Sequence, residues 1–223
     1  MTETRARLAV LASGGGSNLQ AILDHLAALG EAAPARVALV VSDRVGAGAL
    51  ERARRHEVPA EWLPKGRNDE LAALLARHGI THVALAGYLR LVPLDVVRAF
   101  AGRMLNVHPA LLPAFGGPGM YGHHVHEAVL RAGARVSGPT VHFVSEHYDE
   151  GAIVAQWPVP VRADDTADTL AARVLRAEHR LYPRCVAALC AGTLTLGPER
   201  TVLGAPAFAF EGFVPDAGPD PFA

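Results

Sequence analysis

The stretch Arg7-Leu-Ala-Val-Leu-Ala-Ser-Gly-Gly-Gly-Ser-Asn18 decides the fold class of this chain. Its apolar half, residues 7–12, predicts a buried strand, and the glycine-rich half predicts a tight turn. Apolar side chains then recur at helical spacing on one face, at Leu19, Ile22, Leu23, Leu26 and Leu29. A strand, a short glycine turn and an amphipathic helix form the first unit of a parallel α/β sheet.

The same alternation continues through the first half of the chain. Further strands are predicted at residues 37–42, 61–63, 83–86 and 104–108. Helices are predicted between them at residues 47–56, 69–78 and from Pro93 onward. Because the links are short, the pattern predicts an α/β fold with a single doubly wound, mostly parallel sheet and helices on both faces.

The pattern changes after residue 108. Residues 111–122 are rich in glycine and proline and predict a loop, whereas 136–144 and 153–161 predict two strands. With no long helix between them, these strands should pair antiparallel as an extension of the sheet. A long helix follows at 167–191. We predict one domain over residues 1–194, then a small hairpin and a loose tail over 195–223.

Composition sets limits on partners and location. The chain has 223 residues, half of them apolar, with 21 basic against 22 acidic residues. This balance gives no reason to expect nucleic acid or a membrane as a partner, and no apolar stretch approaches the length of a membrane span. Cys185 and Cys190 predict free thiols, and the first residues lack a secretory apolar region. We expect a cytoplasmic protein that binds small molecules as a monomer or homodimer.

The glycine turn is a candidate anion site, because backbone N–H groups at a helix N-terminus bind anions well. It contains Gly14-x-Gly16, but Leu19 occupies the third position of the dinucleotide fingerprint and the lysine of a P-loop is missing. A single phosphate held by Gly16, Ser17 and Asn18 therefore fits better than NAD or ATP. The alternative is a turn in which Ser17 or Asn18 only caps the helix.

Asn106 and His108 lie two residues apart where the fifth strand ends, just before Pro109. Alternate residues of a strand point to the same side, so the amide and the imidazole should project together into the crevice of an α/β sheet. A neutral donor beside a titratable ring suits the stabilisation of an oxyanion. The alternative is a strand end whose polar groups satisfy only the local backbone.

Two acidic residues are candidates for the same site. Asp149 lies between the two later strands, and a carboxylate near His108 would orient the ring and raise its pKa; an ordinary turn residue is the alternative. Glu178 has apolar residues at helical spacing, so its charge needs a tertiary or ligand partner. An exposed acid paired with a distant arginine is the alternative there.

Several other polar residues are weaker candidates. His123, His124 and His126 could suggest a metal, but no cysteine or carboxylate other than Glu127 lies at ligand spacing, so we predict none. His142 alternates with apolar residues of a strand and could line a pocket or be a satisfied core histidine. Arg90 follows the fourth strand at the rim of the expected crevice, although a surface arginine is the simpler interpretation.

Six segments together carry a family resemblance. They include Ser13-Gly-Gly-Gly-Ser-Asn18-Leu-Gln-Ala-Ile22 and Leu105-Asn-Val-His-Pro-Ala-Leu-Leu-Pro113, and the others are residues 86–91, 137–144, 149–156 and 178–183. In this order and spacing they resemble the phosphoribosylglycinamide formyltransferase family, the folate-dependent enzymes of de novo purine (IMP) biosynthesis. The resemblance covers about residues 7–194 and implies the formyltransferase fold.

The resemblance also implies roles for individual residues. Asn106, His108 and Asp149 match the catalytic trio, Gly16, Ser17 and Asn18 the substrate phosphate loop, and Glu178 an acid that contacts the nucleotide. The folate pocket is matched by Leu89, Arg90, Leu91, Val92 and Asn106, and by residues 144–149. The implied co-substrate is 10-formyltetrahydrofolate, without a metal.

Two departures from the family pattern concern the pocket. A family arginine before the third helix has Arg67 as its nearest candidate. The loop over residues 114–124 is longer than the usual proline–glycine turn, so its closure over the folate is open.

Three alternatives share parts of this pattern. A 10-formyltetrahydrofolate hydrolase would keep the trio but should carry a regulatory domain before this core. A methionyl-tRNA formyltransferase should carry a further C-terminal domain and a basic surface. A non-catalytic folate- or nucleotide-binding module would use the trio only structurally. From the sequence we expect neither extra domain and favour the transferase.

Overall fold

The structure, a computed structural model, describes residues 5–67 and 69–204. Its strands are β1 (Ala6–Leu11), β2 (Ala35–Ser42), β3 (Ala60–Trp62), β4 (His82–Leu85), β5 (Met104–His108), β6 (Val136–Ser137), β7 (Thr140–Phe143), β8 (Ile153–Gln156), β9 (Val159–Pro160), β10 (Thr195–Leu196) and β11 (Val202–Leu203). Its α-helices are α1 (Ser17–Leu29), α2 (Gly48–Arg55), α3 (Glu70–Arg77), α4 (Leu94–Ala99), α5 (His123–Arg131) and α6 (Ala167–Cys190). Short 3₁₀ turns occupy Gly30–Ala32 and Pro198–Arg200.

The main sheet has seven strands in the order β3-β2-β1-β4-β5-β7-β8. The first five strands are parallel to one another, whereas β7 and β8 run antiparallel to their neighbours. This arrangement confirms the predicted fold class. Because β1 lies between β2 and β4, the strand order reverses at β1, and ligand crevices of α/β sheets open at such a point.

The sheet carries a core on each face. Successive residues of β1 alternate between the two, with Leu8 and Val10 packing on one side and Ala9 and Leu11 on the other. Helices α1, α2 and α6 cover the first face and α3 and α4 the second. The central strands β1, β2, β4 and β5 are largely buried on both faces, which explains their nearly continuous apolar sequences.

The two later strands pair antiparallel, as predicted, but each is divided in two. β7 pairs with β8 in the main sheet, while β6 pairs with β9 in a separate ribbon. The division follows from Gly138, whose φ is 140° and where a Cβ would lie 1.9 Å from the carbonyl oxygen of Trp157. Pro139 and Pro158 follow on each strand and cannot donate to a ladder.

Helix α5 and the hairpin of β10 and β11 lie outside the main sheet. Helix α5 was not predicted; it follows the glycine-rich loop, buries Val125, His126 and Val129, and packs against α6. The predicted hairpin forms as β10 and β11. The expected loose tail lies outside the described residues, and the domain boundary at residue 194 stays a prediction. Within residues 5–67 and 69–204, no helix has the length and apolar character needed to span a bilayer.

Candidate active site

A cavity of about 640 Å³ opens where the sheet order reverses. Its walls come from Asn18 in α1, from the segments that follow β4, β5 and β7, from the loop before α5 and from α6. The segments that follow β1 and β4 are joined directly, because Ser13 N–H donates to the Gly87 carbonyl (3.0 Å) and Leu89 N–H donates to the Ser13 hydroxyl (2.9 Å). The crevice expected from the topology is therefore present and held in place.

Asn106 and His108 both line this cavity, and their side chains project to the same side, where Asn106 meets His142, and His108 and His142 both approach Asp149. His108 is only 3% exposed. Its Nε2 lies 2.8 Å from the Phe115 carbonyl oxygen, which can only accept, so Nε2 carries a hydrogen. The other ring nitrogen, Nδ1, lies 3.4 Å from Asp149 Oδ2. The ring is thus oriented with Nδ1 toward the carboxylate.

Asp149 is held from three sides. Its Oδ2 accepts a hydrogen bond from Gly117 N–H (2.9 Å), and its Oδ1 lies 3.5 Å from His142 Nε2. Burial by itself would raise the pKa of this carboxyl. The contacts with His142, His108 and Gly117 outweigh burial and leave the pKa of Asp149 below its usual value. The group is therefore ionised at neutral pH.

The expected rise in the pKa of His108 was wrong in its net direction. Asp149 and the Phe115 carbonyl do raise the pKa of the ring, but burial is the larger effect and lowers it below the usual value. The ring is consequently neutral at pH 7, with its proton on Nε2. Nδ1 then presents a lone pair beside Asp149.

His142 lies opposite Asn106 across the β5–β7 ladder. Its Nδ1 donates to the Phe143 carbonyl oxygen (2.9 Å), which turns Nε2 toward Asn106. The Asn106 amide nitrogen lies 3.1 Å from that Nε2 and donates to it. His142 therefore fixes the Asn106 amide with its second N–H available to the cavity. Both of the uses considered for His142 from the sequence apply, since it is satisfied in the core and touches the site.

Glu178 has a partner within the protein, which is the tertiary one of the two kinds of partner expected from the sequence. Asn18 Nδ2 donates to Glu178 Oε2 at 2.6 Å, joining α1 to α6 across 160 residues of sequence. Burial raises the pKa of Glu178 to about 7, although the Asn18 hydrogen bond opposes the rise. The Asn18 side-chain oxygen is buried without a hydrogen-bond partner among the described residues, so it can still accept from a ligand.

Tyr182 explains why Glu178 reaches the cavity. This fully buried hydroxyl lies 2.9 Å from the Leu85 carbonyl and 3.0 Å from the Leu105 carbonyl, near the ends of β4 and β5. It ties α6 to the strand ends that open the crevice. Glu178 lies one helical turn before Tyr182 and so faces the same opening. Sequence reasoning did not identify this tyrosine, because its partners are backbone groups about 80 to 100 residues away.

The glycine turn has the geometry of an anion site. Gly16 occupies the N-cap of α1 with a φ of 75°, and no side chain caps the helix. The alternative that Ser17 or Asn18 acts as the cap is therefore wrong. A Cβ at Gly16 would lie 2.7 Å from Ala49 Cα, so only glycine fits. Asn18 lines the cavity, whereas Gly16 and Ser17 lie beside it at the helix start and are not among the residues that form its wall.

The predicted folate-contact residues, Leu89, Arg90, Leu91 and Val92, all line the cavity. Leu91 is half-exposed at its mouth, and Arg90 pairs with Asp43 at 3.1 Å. Residues 144, 145 and 147–149 line the same region. Arg67 does not line it; its side chain is exposed and pairs with Glu70.

The histidine group near α5 is dispersed. His123 Nδ1 lies 3.3 Å from Asp168, His124 Nδ1 lies 3.7 Å from Glu127, and His126 is buried against the cavity. Over residues 5–67 and 69–204, no three histidine, cysteine or acidic side chains are grouped so that they could hold a metal ion.

Comparisons with known proteins agree with this geometry. Residues 6–186 match the formyl transferase family model. The chain is 47% identical over 194 residues to the chloroplastic phosphoribosylglycinamide formyltransferase of Arabidopsis thaliana, covering 83% of this chain and 66% of that protein. It is 39% identical over 206 residues to the trifunctional purine biosynthetic protein adenosine-3 of Drosophila melanogaster, covering 89% of this chain and 15% of that protein. The chain thus spans about two thirds, or much less, of these curated relatives.

A solved structure gives the corresponding match in three dimensions. Glycinamide ribonucleotide transformylase 1 from Symbiobacterium toebii superposes with a TM-score of 0.83 at 41% identity. The match covers 91% of this chain and 95% of that one. A formyltetrahydrofolate deformylase from Pseudomonas syringae also superposes, with a TM-score of 0.81, but at 21% identity it shares the fold alone. The chain belongs to the formyl transferase family, as a member of its phosphoribosylglycinamide formyltransferase group.

Proposed function

We propose that this protein transfers the formyl group of 10-formyltetrahydrofolate to the amine of 5-phosphoribosylglycinamide, in purine biosynthesis. The carrying observation is that Asn106, His108 and Asp149 line the same cavity as Asn18 and Glu178. The first three residues offer groups for acyl transfer, and the other two offer groups for a nucleotide substrate. The similarity to formyltransferases named for this substrate supports the assignment.

The two substrates fit different walls. The phosphate is assigned to the N–H groups at the start of α1, next to Gly16, Ser17 and Asn18, where the helix dipole also favours an anion. The formyl donor is assigned to the side lined by Leu89 to Val92. The apolar rim there suits a flat ring system, and Arg90 suits an anionic group. Glu178 and the side-chain oxygen of Asn18 would then accept hydrogen bonds from hydroxyl or amine groups of the nucleotide.

The reaction follows from the groups of Asn106, His108 and Asp149. The substrate amine attacks the formyl carbon, a new C–N bond forms, and the carbonyl oxygen becomes an oxyanion. The free N–H of Asn106 donates to that oxygen, and one such donor is typically worth about 3–4 kcal/mol in the barrier. Neutral His108 accepts the amine proton at Nδ1, and the resulting imidazolium is stabilised by ionised Asp149.

Collapse of the intermediate completes the transfer. The oxyanion electrons reform the carbonyl, the bond from carbon to the folate nitrogen breaks, and that nitrogen takes the proton from His108 or from a water molecule. The products are the formylated nucleotide and tetrahydrofolate. No step requires a metal. A cytoplasmic location and a monomeric or homodimeric state stay predictions.

One assay tests the proposal. The protein is mixed with 10-formyltetrahydrofolate, with and without 5-phosphoribosylglycinamide, and formation of tetrahydrofolate is followed. We expect turnover only when the nucleotide is present and no turnover in a His108→Ala variant. Tetrahydrofolate released equally without the nucleotide would instead identify a hydrolase. Folate binding without turnover would identify a non-catalytic module.

A further inference from the structure

Helix α2 lies directly beneath the glycine turn that precedes α1. Ala49 N–H donates to the Gly14 carbonyl at 3.1 Å. One turn further along α2, Arg52 Nε donates to the Gly15 carbonyl at 2.8 Å. A Cβ at Gly48 would lie 3.1 Å from the same Gly15 oxygen, so the two segments are in close contact. The turn is therefore shaped from below by α2.

These hydrogen bonds determine where the turn's donors point. Two successive carbonyls are directed toward α2, and each shares its peptide unit with the N–H of the next residue, namely Gly15 and Gly16. In a trans peptide the carbonyl and the N–H point in opposite directions, so both N–H groups are turned away from α2. They join the uncapped N–H groups of the first turn of α1 on the open side.

Arg52 differs from other arginines of α2 in its environment. It is half-buried, and its second contact is to the Gln20 side-chain oxygen at 3.1 Å on α1. Arg55 instead pairs with Glu51 at the surface, and Arg54 is exposed. Both hydrogen-bond partners of Arg52, the Gly15 carbonyl and the Gln20 side-chain oxygen, are neutral, and among the described residues no carboxylate pairs with it.

We propose that Arg52 is a positioning residue for the phosphate of the nucleotide substrate. By donating to the Gly15 carbonyl it fixes the turn and polarises the Gly15–Gly16 peptide, which makes Gly16 N–H a stronger donor. Its positive charge also lies against the turn, where it would attract a phosphate bound on the open side. This inference rests on the proposed function, since it assumes a phosphorylated substrate at the turn. It goes further by giving Arg52, which does not line the cavity, a part in the preference for the phosphorylated substrate.

The test compares two substrates and three variants. Arg52→Gln removes the charge and the fork of donors, Arg52→Lys keeps the charge and one donor, and Arg54→Gln removes an equal charge from the exposed face of the same helix. Each variant is assayed with 5-phosphoribosylglycinamide and with its dephosphorylated nucleoside. Thermal unfolding confirms that each variant is folded.

We expect Arg52→Gln to raise KM for the phosphorylated substrate by about tenfold or more, with kcat changed by less than about threefold. The value of kcat/KM for the nucleoside should hardly change, so discrimination in favour of the phosphate falls. Arg52→Lys should recover part of the loss, and Arg54→Gln should resemble wild type. Equal losses for both substrates would show a merely structural role, and equal effects of the Arg52 and Arg54 changes would show only bulk charge.

A second measurement separates this inference from the proposed function. Calorimetric titration with inorganic phosphate requires no turnover. If wild type binds phosphate and Arg52→Gln binds it at least about fivefold more weakly, the positioning role holds even where the assay finds another reaction. If wild type catalyses the formyl transfer while Arg52→Gln changes neither KM nor phosphate affinity, Arg52 has no such role and the proposed function stands.

Discussion

The part of the cavity around His108 and the glycine turn beside the cavity hold their polar groups in opposite ways. Around His108, the functional groups are buried or partly buried side chains, and each is oriented by another side chain or by a backbone carbonyl or N–H. At the glycine turn, the available donors are backbone N–H groups, and the close approach of α2 excludes a Cβ at Gly16. Side chains can titrate and move protons, whereas backbone amides offer fixed dipoles only.

This difference predicts separate consequences for rate and for affinity. Changes around His108 should lower kcat, because they alter groups that act while charge develops. Changes near the turn and at Glu178 should weaken the nucleotide, because they alter contacts made before and during the reaction alike. Each of the following experiments tests whether changes in the two regions affect kcat and nucleotide affinity separately.

The largest effect is expected for His108→Ala. Removal of the proton acceptor that faces Asp149 should lower kcat by on the order of a hundredfold or more, with the nucleotide Kd nearly unchanged. Steady-state kinetics and calorimetry on the folded variant measure both quantities. Near-wild-type turnover would exclude His108 from the mechanism, and an equally large loss of nucleotide affinity would contradict the separation.

Glu178→Gln should weaken binding of the nucleotide substrate. We expect the nucleotide Kd to weaken by about 1–3 kcal/mol, the worth of a charge-assisted hydrogen bond, with folate binding unchanged. Because the pKa of Glu178 is about 7, the loss should be larger at pH 8 than at pH 6. Calorimetry at both values tests this. A Kd that is the same in variant and wild type would show that the carboxylate serves only the fold.

The same residue predicts a pH dependence of stability. Folding raises the pKa of Glu178 from 4.5 to about 7, so the folded state holds a proton that the unfolded chain releases. The contribution of this proton to the free energy of unfolding is fully present below pH 4.5 and is lost as the pH rises through about 7. Relative to Glu178→Gln, the wild type should lose on the order of 2 kcal/mol of unfolding free energy between pH 5 and 8. Urea denaturation of both proteins measures it; parallel pH profiles would refute the shift.

His142→Leu tests the support behind Asn106. Without the ring acceptor the Asn106 amide is free to turn, and we expect kcat to fall by about tenfold, equivalent to about 1.4 kcal/mol. The KM values for both substrates should change less. An effect confined to KM would show that His142 shapes the pocket without orienting the amide.

The smallest effect is expected for Arg67→Ala. The side chain is exposed and outside the cavity wall, so KM for either substrate should change by less than about twofold. A tenfold rise in KM for the formyl donor would show that Arg67 moves into the site and takes the role of the family's arginine.

The sequence predicted the parts of the fold that local patterns control. Apolar runs and helical spacing placed β1 to β5 and α6 within a few residues, and the two-residue spacing of Asn106 and His108 placed them on one side of β5. Helix α5 was missed because it follows a glycine-rich loop and combines three histidines with few apolar residues. Its buried stripe gains stability only from packing against α6.

Tertiary structure alone decided how the candidate site is connected. The Phe115 carbonyl that fixes the His108 ring and the Asn18 amide that meets Glu178 depend on contacts that no local pattern encodes. The net pKa direction of His108 was likewise undetermined, because burial and a carboxylate act oppositely and only their distances and exposure settle the balance. The sequence therefore determined which elements form and where their polar ends lie. Packing decided which of those ends meet and in what state of charge, since these depend on the distances between segments far apart in the chain.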